Sequence, residues 1–230
     1  MSGEAGPDAV VFDLDGVLVD SEPAWDAARR AVLAEAGGHW REGATRAMIG
    51  MSSPEWSRYL REELGAQLDP VEINELVVAR LLDGYRTNGA ALLPGAADAV
   101  RALAARWPLG LASSANRSVI EAVLAAAGLR DRFAAVVSAE EVAHGKPAGD
   151  VYVAAAAALG VEPSRAVAVE DSSNGIRAGA AAGLAVIAVP NEHFPPTREA
   201  LALASLVIDS LNELTPATVQ RAAAMRRAAG

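Results

Sequence analysis

The chain of 230 residues contains no cysteine. Disulfides, thiolate metal sites and a cysteine nucleophile are thereby excluded, and the absence agrees with an expected cytoplasmic location. Histidine is scarce. His39, His144 and His193 are the three present, no two stand at a metal-binding spacing, and each reads as a surface or local structural residue. The opening MSGEAGPDAV has neither the basic segment nor the apolar segment of a signal peptide. No apolar run approaches the ~18 residues needed to cross a bilayer, and the alanine-rich stretches are broken by Arg, Glu or Gly in the manner of helices bathed in water. The net charge is −9 and no basic stripe is visible, so neither nucleic acid nor membrane is an expected partner. Acidity does not exclude an anionic ligand, because local groups and a metal ion outweigh the global field at short range.

What the chain does have is apolar residues, 52% against 21% charged, enough for a sizeable core. Short β-type runs stand at 9–12, 109–112, 135–137, 166–169, 185–189 and 206–208. From residue 93 onward they alternate with helical segments at 98–106, 119–127, 151–159, 175–182, 198–204 and 215–229. Such alternation predicts βαβ units and a parallel sheet covered on both faces. Between the first and second runs the texture changes. Helical segments at 23–37, 54–64 and 70–88 begin at or near a proline, where the missing N–H is harmless. The expected organisation is one α/β core built from 1–20 and 93–230, interrupted by an all-helical insert of about four helices over 21–92.

The stretch 10–22, VVFDLDGVLVDSE, carries the chemistry. A buried strand ending in Asp13 and Asp15 places two carboxylates together at a sheet edge, which is costly unless a cation or a reaction uses them. In parallel α/β sheets ligands sit beyond the carboxyl ends of the strands. Ser113 and Ser114 follow the second run, Lys146 lies in the loop after the third, and Glu170 and Asp171 follow the fourth. A carboxylate at Asp13 can attack phosphorus, and Asp15 can act as general acid and base. Glu170 and Asp171, with Asp13, offer hard oxygen ligands for Mg²⁺. Ser113, the start of the helix after Ser114, and Lys146 can hold a phosphoryl group. Read singly, each feature has a plainer explanation as a polar turn, a helix cap or a solvated loop lysine. Their convergence on one edge outweighs those explanations.

These motifs resemble the haloacid dehalogenase (HAD) superfamily, in its phosphatase and β-phosphoglucomutase-like branch. DLDGVLVDSE is similar to motif I, LASSAN to motif II, HGKPAGDVY to motif III and VEDSSNG to motif IV. The resemblance implies a Rossmann-like core with a helical cap, Asp13 as nucleophile and Asp15 as acid/base. It implies Mg²⁺ held by Asp13, the Asp15 main-chain carbonyl and Asp171 with Glu170 assisting, and a phosphoryl group held by Ser113 and Lys146. The backbone N–H of Ser114 can add to that hold from its place at the strand end. The second aspartate argues against dehalogenation, and a lysine-free insert argues against phosphonate cleavage. Trp25 and Ser53 stand where mutases carry a histidine and an arginine. The expected activity is therefore hydrolysis of a small phosphorylated metabolite, a sugar phosphate first, with a phosphomutase and a non-enzymatic phospho-acceptor module as alternatives. Leaving-group choice is expected from Trp25, Ser53, Asn116 and Arg117, with 49–53, Arg58 and Arg86 nearby. The expected assembly is a monomer or weak homodimer.

Overall fold

The four residues of the first strand, β1 (Ala9–Phe12), are all fully buried, and they alternate between two cores. Val10 and Phe12 join one hydrophobic cluster, and Ala9 and Val11 the other. A strand apolar on both faces needs helices on both sides. The computed structural model, which describes residues 6–191 and 194–229, supplies them. β1 is joined by β2 (Leu109–Ser113), β3 (Ala135–Ser138), β4 (Ala166–Glu170), β5 (Ala185–Ala188) and β6 (Leu206–Val207). The order across the sheet is β3-β2-β1-β4-β5-β6, and each neighbouring pair is parallel. Val11 lies opposite Gly110 on one side and Ala168 on the other. β1 therefore sits where the strand order reverses, which is where such sheets open a crevice.

The helices are, in chain order, α1 (Glu22–Glu35), α2 (Ala44–Met48), α3 (Ser53–Glu62), α4 (Pro70–Asn88), α5 (Ala96–Ala104), α6 (Arg117–Ala126), α7 (Asp150–Ala158), α8 (Ser173–Ala181), α9 (Arg198–Leu201) and α10 (Pro216–Ala229). α5, α6 and α10 bury Val100, Leu103, Val119, Ile120, Val123 and Val219 in the cluster on one face of the sheet. α7 and α8 bury Val151, Tyr152, Ala155 and Ile176 in the cluster on the other. The parallel α/β fold is thus the one expected from the alternation of strands and helices.

α1 to α4 lie in sequence between β1 and α5. Prolines stand in the first turns of α1, α3 and α4, and Ser52 with Glu55 closes a reciprocal capping box at the start of α3. α2 was not among the expected segments. Its five residues, ATRAM, are too few to show a helical period. The chain leaves and re-enters the core side by side: Asp20 donates its backbone N–H to Ala91 at 3.0 Å and Leu93 donates to Leu18 at 3.0 Å. α1 and α3 pack on α4, which in turn contacts α6 of the core. Trp25 of α1 meets Trp56 of α3 edge-on with ring centroids 5.9 Å apart.

Three strands run one residue beyond the apolar run, to Ser113, Ser138 and Glu170. Backbone pairing does not require an apolar side chain, and Ser113 stays in register with Ser138. α8 starts at Ser173, earlier than the expected 175, because Ser172 accepts from Gly175 N–H and caps it. Away from the crevice, the buried Phe133 ring packs edge-on against Phe12 at 6.0 Å. Phe133→Ala is expected to lower the unfolding free energy by about 3–5 kcal/mol, read from denaturant midpoints.

Candidate active site

Asp13 and Asp15 follow the end of β1 as alternate residues on either side of the buried Leu14. The backbone of Asp13 continues the ladder by donating to Val169 at 3.0 Å. Its Oδ1 accepts from Lys146 Nζ at 2.5 Å. Lys146 is the only lysine in the sequence. Its ammonium also donates to Glu170 Oε1 at 2.6 Å, and Tyr152 of α7 donates to the same oxygen at 2.8 Å. Glu170 Oε2 accepts from Asp171 N–H, Ser172 N–H and the Ser172 hydroxyl at 3.1–3.3 Å. The Glu170 carboxylate is thus wholly enclosed and holds Lys146 against Asp13.

Asp15 is held by three donors. Ser21 and the Trp25 indole N–H, the latter at 3.3 Å, reach its Oδ1, and Ser113 reaches its Oδ2 at 3.3 Å. Ser113 is fully buried and itself accepts from Ala115 N–H, whereas Ser114 lines the open cavity. Two glycines make the cluster possible. Gly16 has φ +81, and a Cβ there would collide with the Asp171 carboxylate. A Cβ on Gly175 would occupy the space of the Glu170 carboxylate.

One carboxylate oxygen from each of Asp13, Glu170 and Asp171 lies within 4.8 Å of the others, and all three residues are buried. The cavity beside them is lined by Asp13, Asp15, Asp20, Glu22 and Asp171 against only two cations, Arg29 and Lys146. Trp25, Ile49, Gly50 and Met51 also line it, as expected of the insert. Ser53, Asn116 and Arg117 do not. Ser53 donates to Asn116 at 2.6 Å, and Asn116 donates to Glu140 at 2.7 Å, in a buried bridge between α3 and the core. Arg117 turns outward to Glu121, Glu141 and the Val136 carbonyl. Both side chains are drawn off by acids of the segment following β3, which sequence spacing does not reveal. Arg58 and Arg86 are exposed and also stand outside this lining. His39 and His144 are exposed, and His193 lies outside the described residues.

A family model for haloacid dehalogenase-like hydrolases matches residues 7–183. The chain belongs to this family. Hexitol phosphatase B of Escherichia coli (strain K12) is 35% identical over 224 residues, covering 90% of this chain and 94% of that protein. Fructose-1-phosphate phosphatase YqaB of the same organism is 36% identical over 186 residues, covering 78% and 95%. Among solved structures, CbbY from Rhodobacter sphaeroides in complex with phosphate superposes with a TM-score of 0.83 at 31% identity, over 93% of this chain and 99% of that one.

Some residues of this hydrolase site were not singled out from sequence: Ser21, Glu22, Arg29 and Tyr152. Ser21, Glu22 and Tyr152 lie within the motif segments already quoted. The solitary lysine was a compositional signal for Lys146, since the other permanently charged bases are arginine.

The charges are unbalanced. Burial raises Asp13, Lys146 opposes it, Glu170 and Asp15 reinforce it, and the result is about 8. Asp171 is also pushed well up, by burial and then by Glu170 and Asp13. Burial alone would lower Lys146, but Asp13 and Glu170 override it and keep the ammonium protonated. Burial raises Glu22 to about 7 against the pull of Arg29. A hard divalent cation among these oxygens would relieve the repulsion and restore the Asp13 carboxylate. Each raised carboxyl contributes stability that is complete below the usual carboxylate range and is lost as pH rises through its folded value. With chelator present, the melting temperature is expected to drop by about 3–6 °C between about pH 5 and pH 8. Adding Mg²⁺ should recover most of the loss at the upper end, as followed by thermal melts.

Proposed function

We propose that the protein is a Mg²⁺-dependent phosphomonoesterase that hydrolyses a sugar phosphate through an aspartyl-phosphate. The observation that carries this reading is the position of Asp13. It is a buried strand-end carboxylate, fixed by Lys146 and bordered by Asp171, at the mouth of a cavity roofed by the insert. The relatives named hexitol phosphatase and fructose-1-phosphate phosphatase support the substrate class.

Asp13 attacks phosphorus while the bond to the leaving oxygen breaks, and Asp15 delivers its proton to that oxygen. Asp15 then takes a proton from water, the water oxygen attacks the acyl phosphate, and the bond from phosphorus to Asp13 breaks. Inorganic phosphate leaves and both carboxyl groups are restored. Lys146 offsets charge on the phosphoryl oxygens, with Ser114 and the Ser113 turn at the other flank. Ser21, Trp25 and Ser113 hold Asp15 in position for both proton transfers. Asp13, Asp171 and the Asp15 main-chain carbonyl would hold Mg²⁺, with Glu170 assisting through Lys146 and its neighbours. The bound cation would screen the anionic nucleophile from the anionic phosphate.

The insert, over about residues 21–92, is read as a lid. It joins the core through the paired segments 18–20 and 91–93, and it brings Trp25, Ile49 and Met51 over the nucleophile. Closure would exclude bulk water during attack, and opening would release product. A single lid of this kind suits a hydrolase of small metabolites.

Asp13→Asn is expected to reduce phosphate release from a sugar phosphate by at least about 10⁴-fold while leaving the circular dichroism spectrum intact. Retained turnover would assign the nucleophile elsewhere. Asp15→Asn is expected to accumulate phosphoenzyme, seen as an acid-stable mass increment on the intact protein under quench. A variant that traps no more phosphoenzyme than the wild type would remove Asp15 from the second step.

A further inference from the structure

Among the described residues, four buried side-chain polar atoms have no hydrogen-bond partner: Glu22 Oε1, Arg29 Nε, Arg29 Nη1 and Tyr85 OH. Three of them belong to α1 and the fourth to α4, which packs against it. Glu22 and Arg29 line the same cavity as Asp15 and Trp25. Arg29 Nη1 stands 3.5 Å from Glu22 Oε1, a charge contact too loose for a hydrogen bond. The Arg29 guanidinium is stacked between Trp25 and Trp56, 4.8 Å and 5.3 Å from their ring centroids, and is only 5% exposed. Tyr85 stands on α4, which packs against α1, and its hydroxyl is buried there without a partner.

Leaving buried donors and acceptors without partners is costly, and well-formed interiors seldom tolerate it. Here both roles are kept vacant together at the wall of a cavity. An apolar pair of the same shape would stabilise the insert better. The geometry points to a ligand that completes them.

Glu22 directly follows Ser21, which holds Asp15, and Arg29 stands about two turns further along α1. A group whose leaving oxygen is protonated by Asp15 therefore extends toward them. A carboxylate oxygen that can only accept and guanidinium N–H groups that can only donate lie a few ångströms apart. Adjacent hydroxyl groups, each able to donate and accept, satisfy such a set. Glu22 faces Arg29 across the ion pair, so this end of the cavity presents no unopposed cation to a second phosphate. The Trp25 and Trp56 rings add apolar wall for the C–H faces of a carbohydrate.

We infer that Glu22, Arg29 and Tyr85 form the leaving-group subsite, which reads adjacent hydroxyls of a neutral polyol or sugar bearing a single phosphate. This inference rests on the phosphatase reading above, and binding can test it without turnover.

In an Asp13→Asn background with Mg²⁺, the affinities for sorbitol 6-phosphate and inorganic phosphate are measured by calorimetry with and without Arg29→Gln. The added substitution is expected to weaken sorbitol 6-phosphate about 30-fold and inorganic phosphate by no more than about twofold. Equal losses for the two ligands, or no loss for the sugar phosphate, would overturn the assignment. Because Arg29 is buried, Tyr85→Phe provides a comparison that keeps the packing volume. It should leave the melting temperature unchanged or higher, since the hydroxyl has no partner in the free protein, and weaken sorbitol 6-phosphate about fivefold. Unchanged affinity with a lowered melting temperature would give Tyr85 a structural role and overturn its assignment. Fructose 1,6-bisphosphate should bind at least about tenfold more weakly than fructose 1-phosphate, and Glu22→Gln should narrow that gap. A preference for the bisphosphate would refute the neutral-polyol subsite. Failure of the wild type to release phosphate from any sugar phosphate would instead refute the activity, and the binding contrasts would still decide the subsite.

Discussion

A single ammonium group, Lys146, stands between the buried carboxylates of Asp13 and Glu170, with Asp171 alongside. Three buried carboxylates facing one cation cannot all stay ionised in a low-dielectric interior. The arrangement persists because Glu170 is satisfied by two main-chain N–H groups, the Ser172 hydroxyl and Tyr152, leaving it no freedom to turn away. Glu170 thereby acts as a fixed anchor and aims Lys146 at Asp13. The remaining excess of negative charge suits the cluster to a cation.

The sheet makes this crowding possible. β1 is central, with β2 and β4 as its neighbours, so Asp13, Ser113 and Glu170 emerge from adjacent strands at one edge. The spacing between parallel strands is about 5 Å, which puts their terminal side chains within contact of each other. Gly16 lets the chain turn immediately under Asp171, and Gly175 leaves room for Glu170. The helical segment then departs and returns side by side near the same edge, and Trp25, Ile49 and Met51 from it line the cavity that Asp13 borders.

Much of this was legible without coordinates. The β-type runs located the six strands to within a residue or so at their ends, and the prolines marked the starts of α1, α3 and α4. Those signals are local: apolar side chains repeat with the period of the element, and a proline at a helix start removes an N–H that had no partner. The rule that ligands gather beyond the strand ends grouped Asp13, Asp15, Lys146, Glu170 and Asp171, and these residues do lie together at the end of the sheet. Asn116 and Arg117, grouped with them by the same reasoning, do not line the cavity. They follow β2 in sequence, but the first is bonded across to Ser53 and Glu140, and the second is pulled outward by Glu121 and Glu141. Adjacency to a strand end positions a backbone, whereas the direction of a long polar side chain is settled by whichever charges lie across the fold.

The sequence by itself determined the parallel α/β core, the helical interruption after the first strand and the identity of the acidic groups, because periodicity and residue chemistry are properties of short segments. Only the tertiary structure decided how those groups divide their contacts. It gave Glu170 to Lys146 and the backbone, Ser113 to Asp15, and Ser53 to a buried bridge outside the cavity. It also left polar atoms of Glu22 and Arg29 on α1, and of Tyr85 on the α4 helix packed against it, buried without partners. Burial and the pairing of hydrogen bonds depend on which distant segments meet, and that information is not carried by any one of them.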